Sequence, residues 1–229
     1  MCIGAEFDRW ANEGRDQEMA DRHWHTAKHV LSAIDVERGD TILDLGTGSG
    51  YALRALSEVT PMATGLGIDA SGEMIRNANR YTDVPDIYFI QADFGTIPLE
   101  TNSVEQVFSM EAFYYSPNPH QTLLELFRVI KPDGRFHCAV NFFEESVHTH
   151  EWQAKIPVKM TLWDRKMYRE AFKAAGFEVV EQRCIPDEDI EIPPAGDFPF
   201  EGWSTRADMV DRYRTWGTLL TIGEVNHPA

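Results

Sequence analysis

Three aspartates recur in one setting. Asp44 lies in the apolar run 41-TILDL-45, and glycine then occupies every second place, at Gly46, Gly48 and Gly50. Asp69 closes the run 64-TGLGID-69, and Asp93 closes 87-IYFIQAD-93. A glycine permits positive φ and lets a ligand touch the main chain. The helix that follows offers free N–H groups at its start. A dinucleotide turn, G-x-G-x-x-G, would need glycine where this chain has Tyr51. No G-x-x-x-x-G-K-[ST] loop is present either. The turn therefore suits a ligand with an amino acid end better than one with a pyrophosphate, and Asp44 would suit an ammonium group.

The histidines offer a second chemistry. His25 and His29 are spaced i,i+4, and His148 and His150 flank a threonine. The pairs lie far apart and lack matched acids, so no metal site is expected. The three cysteines, Cys2, Cys138 and Cys184, form no C-x-x-C pair. Free thiols in a reducing, cytoplasmic setting fit them.

Charge narrows the partners. The 229 residues carry a net charge of -16, with 37 acids against 21 bases, of which 15 are Arg and 6 Lys. Such an acidic, lysine-poor composition resembles that of proteins from salt-loving, archaeal microbes, where carboxylates keep the surface hydrated. It does not support direct nucleic-acid binding, which needs a basic face. No run reaches the roughly 18 apolar residues of a membrane span, and the N-terminal stretch shows no secretory signal.

The elements that must hold the aspartates are legible. Met19, Trp24, Ala27, Val30, Leu31 and Ile34 mark a helix within 15–35. Helices follow after Gly50, from Ser71 as N-cap to about Arg80, from about Pro119 to Ile130, and over 164–176. Apolar runs at 41–45, 64–69, 87–93, 104–110, 135–143, 177–185 and 216–225 read as strands. The stretch 131-KPDG-134 reads as a stop and turn, and 186–202 as a loop. Strands alternating with helices indicate an open, mostly parallel α/β sheet, with ligands bound beyond the strands' carboxyl ends.

The D-x-G-x-G-x-G turn, the strand-end acids Asp69 and Asp93, and 123-LLELFRVIKPDGRF-136 together resemble the class I S-adenosylmethionine-dependent methyltransferases, type-11 or quinone-biosynthesis-like branch. The resemblance spans about residues 38–180. It implies a Rossmann-like fold: a mostly parallel seven-stranded sheet with an antiparallel last strand and helices on both faces. It divides the chain into an N-terminal helical lid, 1–36, and a methyltransferase domain, 37–229. S-adenosyl-L-methionine is the implied cofactor and S-adenosyl-L-homocysteine its product. The implied cofactor site comprises Asp44, Gly46, Thr47, Gly48 and Gly50, then Asp69, Ala70 and Met74, then Ala92, Asp93, Phe94 and Met110. Asp69 would accept both ribose hydroxyls, using its two oxygens. Asp93 would accept from the adenine amino group, with Phe94 against the ring.

The resemblance places the acceptor site after the fourth strand, at 109-SMEAFYYSPN-118. The Asn/Asp-Pro-Pro-Tyr signature of amino-group methylation and the Pro-Cys pair of C5 cytosine methylation are absent. Glu111 is the candidate base or cation-binding group, or else a solvated loop carboxylate. Tyr114 and Tyr115 are expected to frame the methyl group, stack on the acceptor, or simply pack. In the lid helix, Trp24 and His25 are expected to border the acceptor, ordinary core being the alternative for Trp24. The segment 151–163 is a second lid candidate. Some related methyltransferases need a small zinc-ribbon activator subunit, which is the partner expected here. A binding module without turnover is the other functional class.

Overall fold

A computed structural model describes residues 3–59 and 64–226; Cys2 lies outside them. Seven strands form one sheet: β1 (Thr41–Leu45), β2 (Thr64–Asp69), β3 (Ile87–Gln91), β4 (Val104–Met110), β5 (Ile130–Val140), β6 (Glu178–Ile185) and β7 (Thr218–Glu224). Their order is β3-β2-β1-β4-β5-β7-β6. Every pairing is parallel except those of β7, which runs antiparallel to both β5 and β6. This is the expected mostly parallel sheet with an antiparallel last strand. The strand order reverses between β1 and β4, so the loops after these two strands open a crevice.

Local chemistry explains the helix ends. Helix α4 (Gly72–Tyr81) starts at Ser71, whose hydroxyl accepts from the Met74 N–H. Asn118 caps α5 (Pro119–Val129), which has proline in its first turn. Asp164 caps α6 (Arg165–Ala175), and Gly176 ends it at φ 109°. Helix α3 (Tyr51–Val59) buries Ala52, Leu53 and Leu56 against the sheet.

The N-terminal residues form two helices, α1 (Ile3–Asn12) and α2 (Arg15–Leu31), joined at Gly14 with φ 75°. Ala27, Val30 and Leu31 of α2 are fully or nearly buried with Ile42 and Leu53. The second half of α2 is thus packed into the core beside β1 and α3. Helix α1 lies on α4: the Asp8 carboxylate accepts from the Ser71 hydroxyl at 2.6 Å and from the Glu73 N–H at 2.9 Å.

Some boundaries differ from expectation: β3 ends at Gln91, so Asp93 lies beyond the strand it was expected to close, and β7 begins only at Thr218. The largest difference is in β5. The strand expected from 135 begins at Ile130, and KPDG lies inside it. Its partners jump from Val104↔Ile130 to Gln106↔Arg135. The extra residues bulge out, with Asp133 at φ 64°, and pairing resumes because Phe136 and Cys138 must face the core.

Candidate functional site

A cavity of about 520 Å³ opens over the crevice between β1 and β4, within the range of small-molecule sites. Its floor is the glycine turn. Its sides are the turn after β2 and the loop after β4, and α1 and α2 cover it.

The three glycines serve three purposes. A Cβ on Gly46 would lie 2.2 Å from Ala112 Cβ, so this glycine lets the two crevice loops touch. A Cβ on Gly50 would lie 2.6 Å from the Phe89 ring, so this one is required by packing. Gly48, at φ 51°, faces the cavity, and a Cβ there would meet nothing within 4 Å. Only Gly48 leaves room for a ligand against its main chain.

Asp69 lines the cavity, with Oδ2 accepting from the Gly48 N–H at 3.0 Å and Oδ1 from the Ser71 N–H at 2.9 Å. These bonds fix the carboxylate and leave a lone pair on each oxygen. Burial raises its pKa to about 6, against the lowering effect of those N–H groups. Asp44 is 3% exposed and is not part of the cavity wall. Its Oδ2 accepts from the Thr47 hydroxyl at 2.8 Å, and burial raises its pKa to about 7. Asp44 therefore stands behind Thr47, and Thr47 presents the turn to the cavity.

Ala70, Met74, Phe94 and Met110 also line the cavity. Ala92 packs against the core and Asp93 is exposed; neither lines the cavity, although Phe94 beside them does. Tyr51, which breaks the dinucleotide spacing, contributes a buried hydroxyl with no partner.

The opposite wall is acidic and aromatic. Glu111 follows β4 with φ 56°, a conformation that strains a side chain with a Cβ. Its N–H is held by the Ala139 carbonyl at 2.9 Å. Its Oε2 accepts from the Tyr114 hydroxyl at 3.0 Å, and its buried Oε1 has no partner. Burial raises the Glu111 pKa to about 7, opposed by Tyr114 and Arg212. This carboxyl is no solvated loop residue. Tyr114 and Tyr115 are buried in the wall with ring centroids 4.6 Å apart, and Phe7 of α1 meets Tyr115 edge-on at 4.9 Å.

The lid expectation needs one correction. Trp24 is 41% exposed and does not line the cavity. The α2 residues that do include Asp16, Met19, His23 and His25. Trp24 stays outside because Ala20, Ala27 and Val30 take the buried side of the helix. His25 lies 3.4 Å from Asp187, while Lys28 bonds Asp189, and together they fasten the loop after β6 over α2. His29 and His25 do not converge with His148, which sits 3.4 Å from Asp211, or His150, which meets the Phe143 carbonyl. Among the described residues no three His, Cys, Asp or Glu side chains could hold a metal together.

Sequence reasoning missed α1 and the contributions from beyond residue 185: Asp187, Ile190, Arg212 and Tyr213 all line the cavity. Helix α1 had a signal in Ile3, Phe7, Trp10 and Ala11 at helical spacing. The later residues had none, since only folding brings them to the site.

Comparison with known proteins agrees with this geometry. The family model of a methyltransferase domain matches residues 36–188, more than half of the chain. The malonyl-[acyl-carrier protein] O-methyltransferase of Marinomonas sp. (strain MWYL1) is 33% identical over 133 residues, covering 58% of this chain and 48% of that protein. Sterol 24-C-methyltransferase of Saccharomyces cerevisiae is 28% identical over 187 residues, covering 75% and 47%. The chain thus spans about half the length of these curated relatives. A methyltransferase solved in complex with the Haloferax volcanii Trm112 methyltransferase activator is 56% identical, with a TM-score of 0.95 over 96% of this chain and 98% of that one. With its glycine turn, strand-end Asp69 and reversed sheet order in place, the chain belongs to the methyltransferase domain family, among the S-adenosylmethionine-dependent class I methyltransferases.

Proposed function

We propose that the protein transfers a methyl group from S-adenosylmethionine to an acceptor held between Glu111, Tyr114 and the covering helices. The observation that carries this reading is a single cavity lined on one side by Gly48 and Asp69 and on the other by a buried, partner-poor Glu111. The cofactor supplies an activated methyl on a sulfonium when bound there. Asp69 accepts the ribose hydroxyls with its remaining lone pairs. Asp44 places negative charge behind Thr47, toward the amino acid end. Phe94 offers an aromatic face to the adenine; Asp93, outside the cavity wall, would have to turn inward to meet its amino group. Helices α1 and α2 exclude water. Glu111 accepts the acceptor's proton, its raised pKa suiting a base that works near neutrality; Tyr114 steadies it.

In the test, methyl-labelled cofactor is incubated with deproteinised cell extract. The protein should label a low-mass product and Glu111→Gln should not. Equal labelling by both would remove Glu111 from the mechanism, and no labelling by either would favour a binding module.

The same reading includes a small zinc-ribbon activator as partner. Its support is the likeness to the activator-bound Haloferax volcanii chain and an open sheet edge. Among the described residues β3 pairs only with β2. Val59 and Tyr81 end the helices leading toward β2 and β3, Tyr88 lies near the start of β3, and all three are exposed. An uncovered strand edge with apolar side chains invites a partner. Co-expression with that activator should yield a co-purifying complex, and Tyr88→Asp should reduce it; a chain that never co-purifies would count against the partner.

A cytoplasmic setting in a salt-adapted archaeon is part of this reading. It is supported by the acidic composition and by free Cys138 and Cys184. Among the described residues no helix is long and apolar enough to cross a membrane.

A further inference from the structure

Arg212 is the one lysine or arginine buried among the described residues, at 5% exposure. Among the described residues no carboxylate lies within the 4.0 Å of an ion pair from it. Its Nη1 donates to the Gly217 carbonyl at 2.8 Å. Its guanidinium lies 5.1 Å from the Tyr213 ring and 5.7 Å from that of Trp152. A guanidinium has five N–H donors in a planar fork, so most of them remain for the cavity that Arg212 lines. Glu111 and Asp187 ease its charge only from beyond contact distance, and a buried cation without a contact partner is costly, so an anion in the cavity would complete the arrangement.

The backbone there is built for it. Helix α7 (Arg206–Val210) runs into a π-turn over Asp211–Trp216, closed by the Gly217 N–H on the Arg212 carbonyl at 2.9 Å. Such turns insert a residue into the helical path and re-aim side chains, often at functional sites. The cavity wall as a whole also departs from the chain's acidity. It carries five of the 21 Lys and Arg side chains but only four of the 37 Asp and Glu. Most of these charges are already engaged: Asp69 with the glycine turn, Asp16 with Asn77, Glu111 with Tyr114 and Asp187 with His25. Arg9, Arg22 and Lys155 are ion-paired with glutamates of their own helices, which leaves Arg15 and Arg212 as the wall's cations without an ion pair among the described residues.

We propose that Arg212 anchors the methyl acceptor, and that the acceptor is a small molecule bearing an oxyanion, a carboxylate or phosphate, with a nucleophilic N–H or O–H that meets Glu111 Oε1. The proposal rests on the methyl-transfer reading above. The guanidinium fork matches either oxyanion with two parallel hydrogen bonds, and Tyr213 and Trp152 flank it. The acceptor heteroatom gives its lone pair to the methyl carbon. The carbon–sulfur bond breaks with its electron pair staying on sulfur, which becomes a neutral thioether. The heteroatom's proton passes to Glu111.

The test is calorimetric, on the full chain saturated with S-adenosylhomocysteine. The probes are benzoate and phenyl phosphate, with benzamide as the neutral counterpart. At least one anion should bind, at least tenfold more tightly than benzamide, and Arg212→Gln should remove that preference while S-adenosylhomocysteine still binds. The better of the two anions distinguishes carboxylate from phosphate recognition. Absence of anion binding, equal binding of benzamide, or an unchanged preference in the variant would overturn the proposal. Should Arg212→Gln fail to fold, the anion-to-amide comparison on the unaltered protein decides alone. Failure of S-adenosylhomocysteine itself to bind would overturn the methyl-transfer reading, and the anchor with it.

Discussion

Two carboxylates at the crevice do different work because their surroundings differ. Asp69 is fixed by two main-chain N–H groups and faces the cavity. In the proposed placement of the cofactor, replacing it with alanine removes charge-assisted hydrogen bonds to the ribose. The expected loss of S-adenosylmethionine affinity is on the order of 1.5–3 kcal/mol by titration; an unchanged affinity would remove Asp69 from the cofactor site. Glu111 has one satisfied oxygen and one orphan, and burial lifts its pKa from 4.5 to about 7. The folded state therefore holds this proton more tightly than the unfolded chain. The resulting stability is present below pH about 4.5 and is lost as pH rises through about 7, amounting to about 3 kcal/mol. Thermal unfolding of Glu111→Gln against the unaltered protein from pH 4.5 to 7.5 should show that loss in the unaltered protein and a flatter profile in the variant. Methyl transfer should depend on the opposite form, rising as pH passes about 7, because the base must be ionised. Parallel stability profiles would mean that Glu111 titrates normally.

The elements that carry these residues were unevenly legible. Alternating apolar runs and helical periods gave β1, β2 and β4 with the bounds observed, because each strand is a short apolar run flanked by turn residues. Asp69 and the glycine turn were readable for the same reason: backbone conformation and residue type are coupled locally. Glu111's left-handed backbone was not, since only the hydrogen bond to Ala139 and the contacts of Ala112 with Gly46 hold it there. The bulge at KPDG looked like a turn because its residues are turn formers, yet the flanking pairings keep it in the sheet. Trp24 misled because periodicity assigns a face without saying what covers it. The glycine turn yields an element-scale prediction. Gly50→Ala should cost on the order of 2 kcal/mol or more of stability, from φ 77° and the clash with Phe89. Gly48→Ala should cost about 1–2 kcal/mol through backbone strain alone, yet weaken cofactor binding more. Denaturant melts beside titrations separate the two; equal losses of affinity would show that the turn has no ligand-facing glycine.

At the scale of the whole molecule, the sheet reversal between β1 and β4 sets the crevice, and chain segments far apart in sequence close it. Helix α1 covers it through Asp8 on the start of α4. The loop after β6 is held to α2 by Asp187 and Asp189. The net charge of -16 acts on the whole fold. Like charges on a compact body repel, and salt screens them, the Debye length falling from about 10 Å at 0.1 M to about 3 Å at 1 M. The melting temperature should therefore rise as potassium chloride goes from about 0.1 M to above 1 M; a flat or falling curve would show that the acidity carries no stability cost.

The most direct test of the account is a titration of the purified chain with S-adenosylmethionine and S-adenosylhomocysteine, in concentrated potassium chloride, alone and with the Haloferax volcanii activator. Binding of both, with dissociation constants on the order of micromolar and lost in Asp69→Ala, is the predicted result. Absence of binding under either condition would contradict it, leaving the turn 44-DLGTGSG-50 as a scaffold without its ligand.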